Sequence, residues 1–158
     1  SSSYSLKLKD RGLPGNFAIS LSVGMVILFG GALLFDFTNE IVISLFLIGF
    51  TYNLAREIIK DIEDMDGDEG RNTLAMRIGA EKTRMIAWVI LLLTMIALLS
   101  PFVLEIFPKM HLILILPGLM TIFLVKRKLS YSEDRNAQLL IKKSLQLSLL
   151  GLIVSTLI

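Results

Sequence analysis

Acidic residues recur at helical spacing directly after an apolar stretch of the sequence. In REIIKDIEDMDGD, residues 56–68, Glu57, Asp61, Asp64 and Asp68 follow one another at steps of four, three and four. On a helix that turns by about 100° per residue, these carboxylates fall within roughly 60° of one another. Carboxylates on one face repel each other, and their cost rises beside a bilayer, so a compensating cation is expected. Ligation by carboxylates alone favours a hard ion such as Mg²⁺, Mn²⁺ or Ca²⁺ over zinc.

Basic and amide side chains accompany this acidic face. Asn53 extends it by one turn towards the apolar stretch, Arg56 and Lys60 flank it, and Arg71 follows it. Mg²⁺ commonly takes one or two carboxylates and completes its coordination with water and substrate phosphates, which Lys and Arg can also contact. The pattern is therefore typical of a diphosphate site at a membrane surface.

A solvated loop is the alternative interpretation of this charged stretch. Charge runs often follow membrane helices, and Arg71 fits either a phosphate contact or the ordinary excess of basic residues on the cytoplasmic side. The single-face spacing favours a site. So does the presence of Asn53, Arg56 and Glu57 within the apolar stretch, because polar residues inside a membrane helix are costly.

The composition predicts a membrane protein. Hydrophobic residues make up 54% of the 158 residues, and the mean hydropathy of +0.71 is far above that of a soluble globular domain. The sequence has no cysteine, which excludes disulfides and cysteine-ligated metals. A net charge of only +2, without a basic stripe that carries interleaved aromatics, gives no indication of nucleic-acid binding.

Five apolar stretches are candidates for membrane crossings, since a crossing needs about 20 mainly apolar residues. Each should be a helix, because a helix satisfies its own backbone hydrogen bonds in lipid. Pro101 and Pro117 are expected to kink two of these helices, and Ser132 is expected to cap the last one. We therefore predict an all-α, polytopic transmembrane helix bundle. Its five spans are residues 17–35, 41–59, 85–107, 110–125 and 137–158.

The basic residues predict how this bundle lies in the membrane. With five crossings, every Lys and Arg except Lys109 falls on one side, which the positive-inside rule identifies as cytoplasmic. The acidic face is then cytoplasmic and the C-terminus lies outside. The protein is expected to be integral to the cell membrane.

Two stretches resemble the UbiA superfamily of intramembrane prenyltransferases. REIIKDIEDMDGD followed by RNTLAMRIG, within residues 51–79, is similar to the second aspartate-rich motif of that family, and YSLKLKDRGLPGN, within residues 4–16, is similar to the start of a later helix. REIIKDIED is most similar to the archaeal branch that makes digeranylgeranylglyceryl phosphate, a membrane-lipid precursor. The resemblance implies the last five helices of an expected nine, so that residues 1–158 are the C-terminal part of one prenyltransferase domain. The first aspartate-rich motif, of the NDxxDxxxD type, is absent from this sequence and is expected in an N-terminal half.

The resemblance also implies roles for individual residues. Asp61, Asp64 and Asp68 match the aspartates of the motif and would hold Mg²⁺ and the diphosphate, and Lys60 matches its basic residue. These four are the expected catalytic residues. Tyr4 with a nearby lysine would match a tyrosine-and-lysine element of the family, although leucine occupies the usual lysine position in this sequence. The expected diphosphate contacts are Lys60, Arg71, Tyr4, Lys7, Lys9, Asn53 and Arg56.

The implied activity is a Mg²⁺-dependent transfer of a prenyl group, such as geranylgeranyl, from its diphosphate to a lipid-precursor acceptor such as geranylgeranylglyceryl phosphate. The implied partners are these two substrates, membrane lipids and the N-terminal half, without which this part is expected to be inactive. Prenylation of an aromatic quinone precursor by the same fold is an alternative. A cation-coupled transporter is another, but it predicts charges near the bilayer midplane, whereas the charges here crowd one interface. A structural membrane subunit whose acidic loop binds a partner is the third.

Overall fold

Helices form nearly all of the described chain. In a computed structural model, residues 13–34, 40–65 and 73–158 are described, and within these ranges there is no strand. This confirms the predicted all-α class. The elements in chain order are α1 (Leu13–Leu34), α2 (Glu40–Glu63), α3 (Leu74–Ile78), α4 (Ala80–Val103), a 3₁₀ segment (Lys109–Ile115), α5 (Leu116–Ser130) and α6 (Asp134–Leu157).

Four of these helices are long and apolar enough to cross a membrane. Among the described residues they are α1, with its apolar window Pro14–Gly31, and α2, α4 and α6 over their full lengths. They correspond to the first, second, third and fifth predicted spans. The all-helical, polytopic character of the chain is therefore confirmed.

The fourth predicted span is divided between the 3₁₀ segment and α5. Pro117 lies in the first turn of α5, where its missing N–H removes no hydrogen bond from the helix. The 3₁₀ segment and α5 together rise by about 36 Å, which exceeds the hydrocarbon thickness of about 30 Å. They run beside α6 from His111, whose Nδ1 is 2.9 Å from Ser155 Oγ, to Lys128, whose Nζ is 3.3 Å from Glu133 Oε2. The two elements in series thus have the length of one crossing.

Neighbouring elements run antiparallel and bring the charged ends together. Gly31 of α1 lies against Val42 near the start of α2, whereas Ser20 lies against Asn53 towards its end. At the end of the bundle that holds the C-terminus of α2, Arg84 of α4 makes a bidentate ion pair with Asp134 of α6, both N···O distances being 2.7 Å. We call this end of the bundle the charged end.

The core lies where α2, α4, α5 and α6 meet. Its fully buried apolar side chains include Ile48, Ile58, Leu91, Ile122 and Ile141. Small residues let α6 approach its neighbours closely, as is usual when helices pack inside a membrane. A Cβ on Gly118 would collide with Ser148, and one on Gly151 would collide with the carbonyl of Leu114.

A buried hydroxyl network fixes α2 against α5 and α6. The Tyr52 hydroxyl lies 2.9 Å from Ser144 Oγ and 2.9 Å from Ser148 Oγ. Ser144 in turn donates to the Gly118 carbonyl over 2.7 Å. All three hydroxyl-bearing side chains are buried. Since each group has a partner, the network specifies the depth and rotation of α2 without leaving polar atoms exposed to apolar surroundings.

The predicted cap of the last helix was wrong. Glu133, not Ser132, is the N-cap residue of α6, and its side chain makes no capping hydrogen bond. Ser132 has a φ of 58°, and its N–H donates to the Leu129 carbonyl at the end of α5. Ser132 therefore closes α5 in the left-handed conformation rather than opening α6.

Candidate functional site

The second half of α2 carries the predicted acidic face. The helix continues beyond the apolar stretch to Glu63, and Asp64 follows in a turn. The N–H of Asp64 donates to the Lys60 carbonyl over 2.9 Å. Glu57 and Asp61, one turn apart, therefore share a helix face, and Asp64 lies at its end. The structure brings these three carboxylates to the charged end of the bundle.

The acidic face passes from buried to exposed along the helix. Asp61 is only 1% exposed and Glu57 only 7%, whereas Asp64 and Glu63 are exposed. Lys60 Nζ lies 3.8 Å from Glu57 Oε1 and keeps a third of its side chain exposed. A buried carboxylate needs positive charge or hydrogen-bond donors nearby. The burial of Glu57 and Asp61 therefore distinguishes this face from a solvated charge run.

A column of neutral polar residues continues the face towards the apolar stretch. Asn53 Nδ2 donates to Ser20 Oγ of α1 over 3.3 Å. Because α1 and α2 are antiparallel, Asn16, one turn before Ser20, lies level with Glu57, one turn after Asn53. Asn16 is fully buried, and no described residue makes a hydrogen bond to either of its amide atoms. A polar group of a ligand, or a water, would be accommodated beside Asn16.

Arg56 is turned towards α6 rather than along the acidic face. Its Nε donates to Gln138 Oε1 over 3.1 Å. On the helix it lies about 140° from Asp61. A diphosphate bound by Arg56, as predicted, would thus lie on the side of α6. It would contact the guanidinium nitrogens that Gln138 does not engage.

Several predicted site residues cannot be placed. Tyr4, Lys7, Lys9, Asp68 and Arg71 lie outside the described residues. Within the ranges that are described, no group of three or more His, Cys, Asp or Glu side chains could hold a metal ion.

The described carboxylates nevertheless suit Mg²⁺. Asp61 and Asp64 offer oxygen donors on successive turns at the end of α2, one buried and one open to solvent. Mg²⁺ is usually held by one or two carboxylates and leaves its other positions to water and phosphate oxygens. Such a donor set fits an ion shared with a diphosphate better than an all-protein cage.

Three residues of this region were not predicted as site residues from the sequence. Ser20 accepts a hydrogen bond from Asn53, and Gln138 accepts one from Arg56. The third residue, Asn16, lies level with Glu57. Ser20 falls inside the first apolar stretch and Asn16 directly precedes it, and a polar residue at such a position is itself a signal. Gln138 carries no such signal, since it lies among the charged residues at the start of α6.

Comparison with known proteins gives the family of this chain. The sequence matches the UbiA prenyltransferase family over residues 2–150. Digeranylgeranylglyceryl phosphate synthase of Korarchaeum cryptofilum is 34% identical over 159 residues, which cover 96% of this chain and 56% of that protein. The synthase of the same name from Methanosarcina mazei is 46% identical over 101 residues, which cover 62% of this chain and 34% of that protein.

A solved structure has the same fold. Its description is "Structural and mechanistic insights into the biosynthesis of Digeranylgeranylglyceryl phosphate synthase in membranes", and it matches with a TM-score of 0.76 and 32% sequence identity. The match covers 91% of this chain and 53% of that one. The chain thus spans about half the length of this structure and of the Korarchaeum cryptofilum relative. Its family match extends over nearly all of its residues, and the chain belongs to the UbiA prenyltransferase family.

Proposed function

We propose that this chain is the C-terminal, five-crossing part of a membrane prenyltransferase. The whole enzyme transfers a prenyl group from its diphosphate to geranylgeranylglyceryl phosphate or a similar phosphate-bearing lipid precursor. The proposed prenyl group is geranylgeranyl. The observation that carries the proposal is the buried acidic face of α2, with Glu57 at 7% and Asp61 at 1% exposure, in a chain of this family. The names of the relatives support the choice of acceptor.

Asp61 and Asp64, together with Asp68, would hold the Mg²⁺ ions that bind the diphosphate. When bound, Mg²⁺ supplies positive charge that stabilises the departing diphosphate. Lys60, which is partly exposed beside Glu57, would donate to a phosphate oxygen. Arg71, Tyr4, Lys7 and Lys9 are proposed as further phosphate contacts.

The reaction breaks one carbon–oxygen bond and forms another. The bond between the allylic carbon and the diphosphate breaks, and its electron pair leaves with the diphosphate. The acceptor hydroxyl oxygen then bonds to that carbon and loses its proton to an oxygen of the departing diphosphate. Ile58, which is fully buried and lies about 60° from Asp61 on α2, would help to exclude water that could otherwise capture the cationic carbon.

The proposed site lies at the cytoplasmic surface of the cell membrane. Arg84, Lys126, Arg127 and Lys128 lie at the charged end of the bundle, together with the acidic face. The positive-inside rule places an end of this kind in the cytoplasm. The prenyl chain can then extend into the bundle while its diphosphate remains near water.

The first experiment tests the acidic face in the full-length enzyme. Asp61→Asn and Asp64→Asn should each reduce prenyl transfer by about 100-fold or more, the usual cost of removing an electrostatic contact to developing charge. Product formation from radiolabelled geranylgeranyl diphosphate measures the effect, with geranylgeranylglyceryl phosphate and an aromatic quinone precursor as separate acceptors.

Glu63→Gln is the matched control for this experiment. It removes a carboxylate from the same end of α2, but Glu63 is exposed and points away from the acidic face. Activity within about threefold of wild type is expected. Full activity of Asp61→Asn and Asp64→Asn would eliminate the site, and transfer only to the aromatic acceptor would eliminate the proposed lipid acceptor.

A further inference from the structure

Glu57 is a buried carboxylate that the proposed reaction does not use. It lies on α2 one turn before Asp61, and its side chain is only 10% exposed. By contrast, the side chain of Glu81, which pairs with Arg84 at an i,i+3 spacing on α4, is 89% exposed. A carboxylate is costly where water is excluded, and more so inside a membrane helix. Glu57 is therefore expected to have a role that a neutral side chain would not fill.

Lys60 lies against this carboxylate. Its Nζ is 3.8 Å from Glu57 Oε1, and a third of the lysine side chain is exposed. The two residues are three positions apart with the acidic one first, which is the favourable order on a helix. Because helical side chains lean towards the N-terminus, Lys60 extends back over Glu57 rather than on towards Asp64. The ion pair thus restrains a long and flexible cationic side chain beside the acidic face.

The ion pair also sets the depth of the Lys60 ammonium relative to Asp61. Glu57 precedes Asp61 by four residues, which is about 6 Å along the helix axis and away from the charged end. An ammonium drawn towards Glu57 therefore lies on the apolar side of Asp61. In the proposed function the prenyl chain extends into the bundle, so the oxygen that joins this chain to the diphosphate lies on the same apolar side.

We propose that Glu57 is a positioning residue that holds the Lys60 ammonium at the oxygen that leaves with the diphosphate. This inference rests on the proposed function. When the bond between that oxygen and the allylic carbon breaks, the electron pair and its negative charge stay on the oxygen. The ammonium donates a hydrogen bond to this oxygen and keeps its proton, and the bond strengthens as the charge develops. Glu57 acts only through Lys60.

A double-mutant cycle in the full-length enzyme tests this role. Glu57→Gln keeps the size of the side chain but removes its charge, and it should lower kcat about tenfold. The KM values for both substrates should stay within about threefold, because the lost contact is made mainly in the transition state. Lys60→Met should lower kcat about 100-fold. Adding Glu57→Gln to Lys60→Met should change kcat by less than twofold, since the lysine through which Glu57 acts is gone.

Glu81→Gln is the matched control for the cycle. It also removes the carboxylate of an i,i+3 ion pair at the charged end of the bundle, but that carboxylate is exposed. Its kcat should stay within twofold of wild type. The inference is overturned if Glu57→Gln keeps the wild-type kcat, or if it lowers kcat by the same factor with and without Lys60. A purely structural role of Glu57 gives the second result.

Folding of each variant is checked by circular dichroism and thermal unfolding in detergent. If Glu57→Gln does not fold, Glu57→Asp takes its place in the cycle. The aspartate keeps the charge but is one methylene shorter, so it reaches less far towards Lys60. It should lower kcat about threefold when the lysine is present and leave kcat unchanged in Lys60→Met. The same loss in both backgrounds overturns the inference.

Binding of inorganic diphosphate separates this inference from the proposed function. Isothermal titration of the full-length protein with diphosphate and Mg²⁺ requires neither a prenyl chain nor an acceptor. Glu57→Gln should weaken this binding at least fivefold, but by less than twofold when Lys60→Met is present. An inactive wild-type enzyme refutes the proposed prenyl transfer, and the titration then still decides the role of Glu57. Equal weakening in both backgrounds, or no binding by the wild type, overturns that role.

Discussion

Arg56 illustrates how the chain holds a charged side chain inside a membrane helix. Its Nε is engaged by Gln138 of α6, one turn along α2 from the Tyr52 hydroxyl, which contacts Ser144 and Ser148. The side of α2 that faces α6 is therefore hydrogen-bonded at two successive turns. The acidic face lies on another side of the same helix, so these bonds set the direction in which Asp61 points.

Gln138→Leu tests this role at the scale of one residue. The leucine keeps the approximate size but removes the acceptor for Arg56 Nε, so the free energy of unfolding should fall by about 1–2 kcal/mol. Thermal unfolding in detergent measures the loss. Gln138→Glu keeps an acceptor and should recover most of the stability.

Gln146→Leu is the control for that substitution. It makes the same chemical change on an exposed face of α6, where no hydrogen bond to another described side chain is present. Its unfolding free energy should stay within about 0.5 kcal/mol of wild type. Equal destabilisation by the two substitutions would show that the Arg56–Gln138 bond does not hold α2 in place.

At the scale of elements, α6 organises the bundle through small residues. Gly118 and Gly151 allow the 3₁₀ segment and α5 to run against it, while Ser144 and Ser148 supply hydroxyls at the same interface. Close approach of this kind compensates for the absence of a hydrophobic driving force between helices in lipid. It also explains how a segment that is part 3₁₀ and part α can run beside a regular helix.

Gly151→Ala should disrupt this interface. The new Cβ would meet the backbone carbonyl of Leu114, which cannot turn away as a side chain would, so a loss of about 1–3 kcal/mol is expected. Gly30→Ala is the matched control, because a Cβ there meets nothing within 4 Å. Alanine favours the helix by up to about 1 kcal/mol at such a position. A Gly151→Ala protein as stable as Gly30→Ala would contradict the close packing.

At the scale of the whole molecule, the crossings place chemically different groups at the two ends. The acidic face, the Arg84–Asp134 ion pair and the basic residues Arg127 and Lys128 in the last turn of α5 share the charged end. Lys109 lies at the opposite end, at the start of the 3₁₀ segment. The distribution predicts one chemically active surface and one passive surface.

Cysteine labelling can test the predicted orientation directly, because the chain has no cysteine of its own. Lys109→Cys should react with a membrane-impermeant maleimide added outside intact cells, since this side chain is largely exposed. Glu63→Cys, also exposed, should react only after the cells are permeabilised. The reverse pattern would place the acidic face outside and refute the cytoplasmic site.

The sequence by itself determined the class of the protein and the content of its acidic face. High hydropathy and the restriction of lipid-embedded backbone to helices make a helical membrane bundle almost unavoidable. The steps between Glu57, Asp61 and Asp64 require a shared face on any regular helix, because that follows from local geometry alone. The family resemblance then suggested Mg²⁺ and a diphosphate as the ligands of that face.

Only the tertiary structure decided what lies around that face. Which carboxylates are buried depends on how the helices pack together, so the contrast between Asp61 and Asp64 could not be obtained from spacing. The Arg56–Gln138 bond joins residues 82 positions apart, and the Arg84–Asp134 ion pair joins residues 50 positions apart. The placement of the 3₁₀ segment and α5 also depends on their packing against α6. Helical periodicity fixes which residues share a face, whereas long-range contacts fix what that face meets.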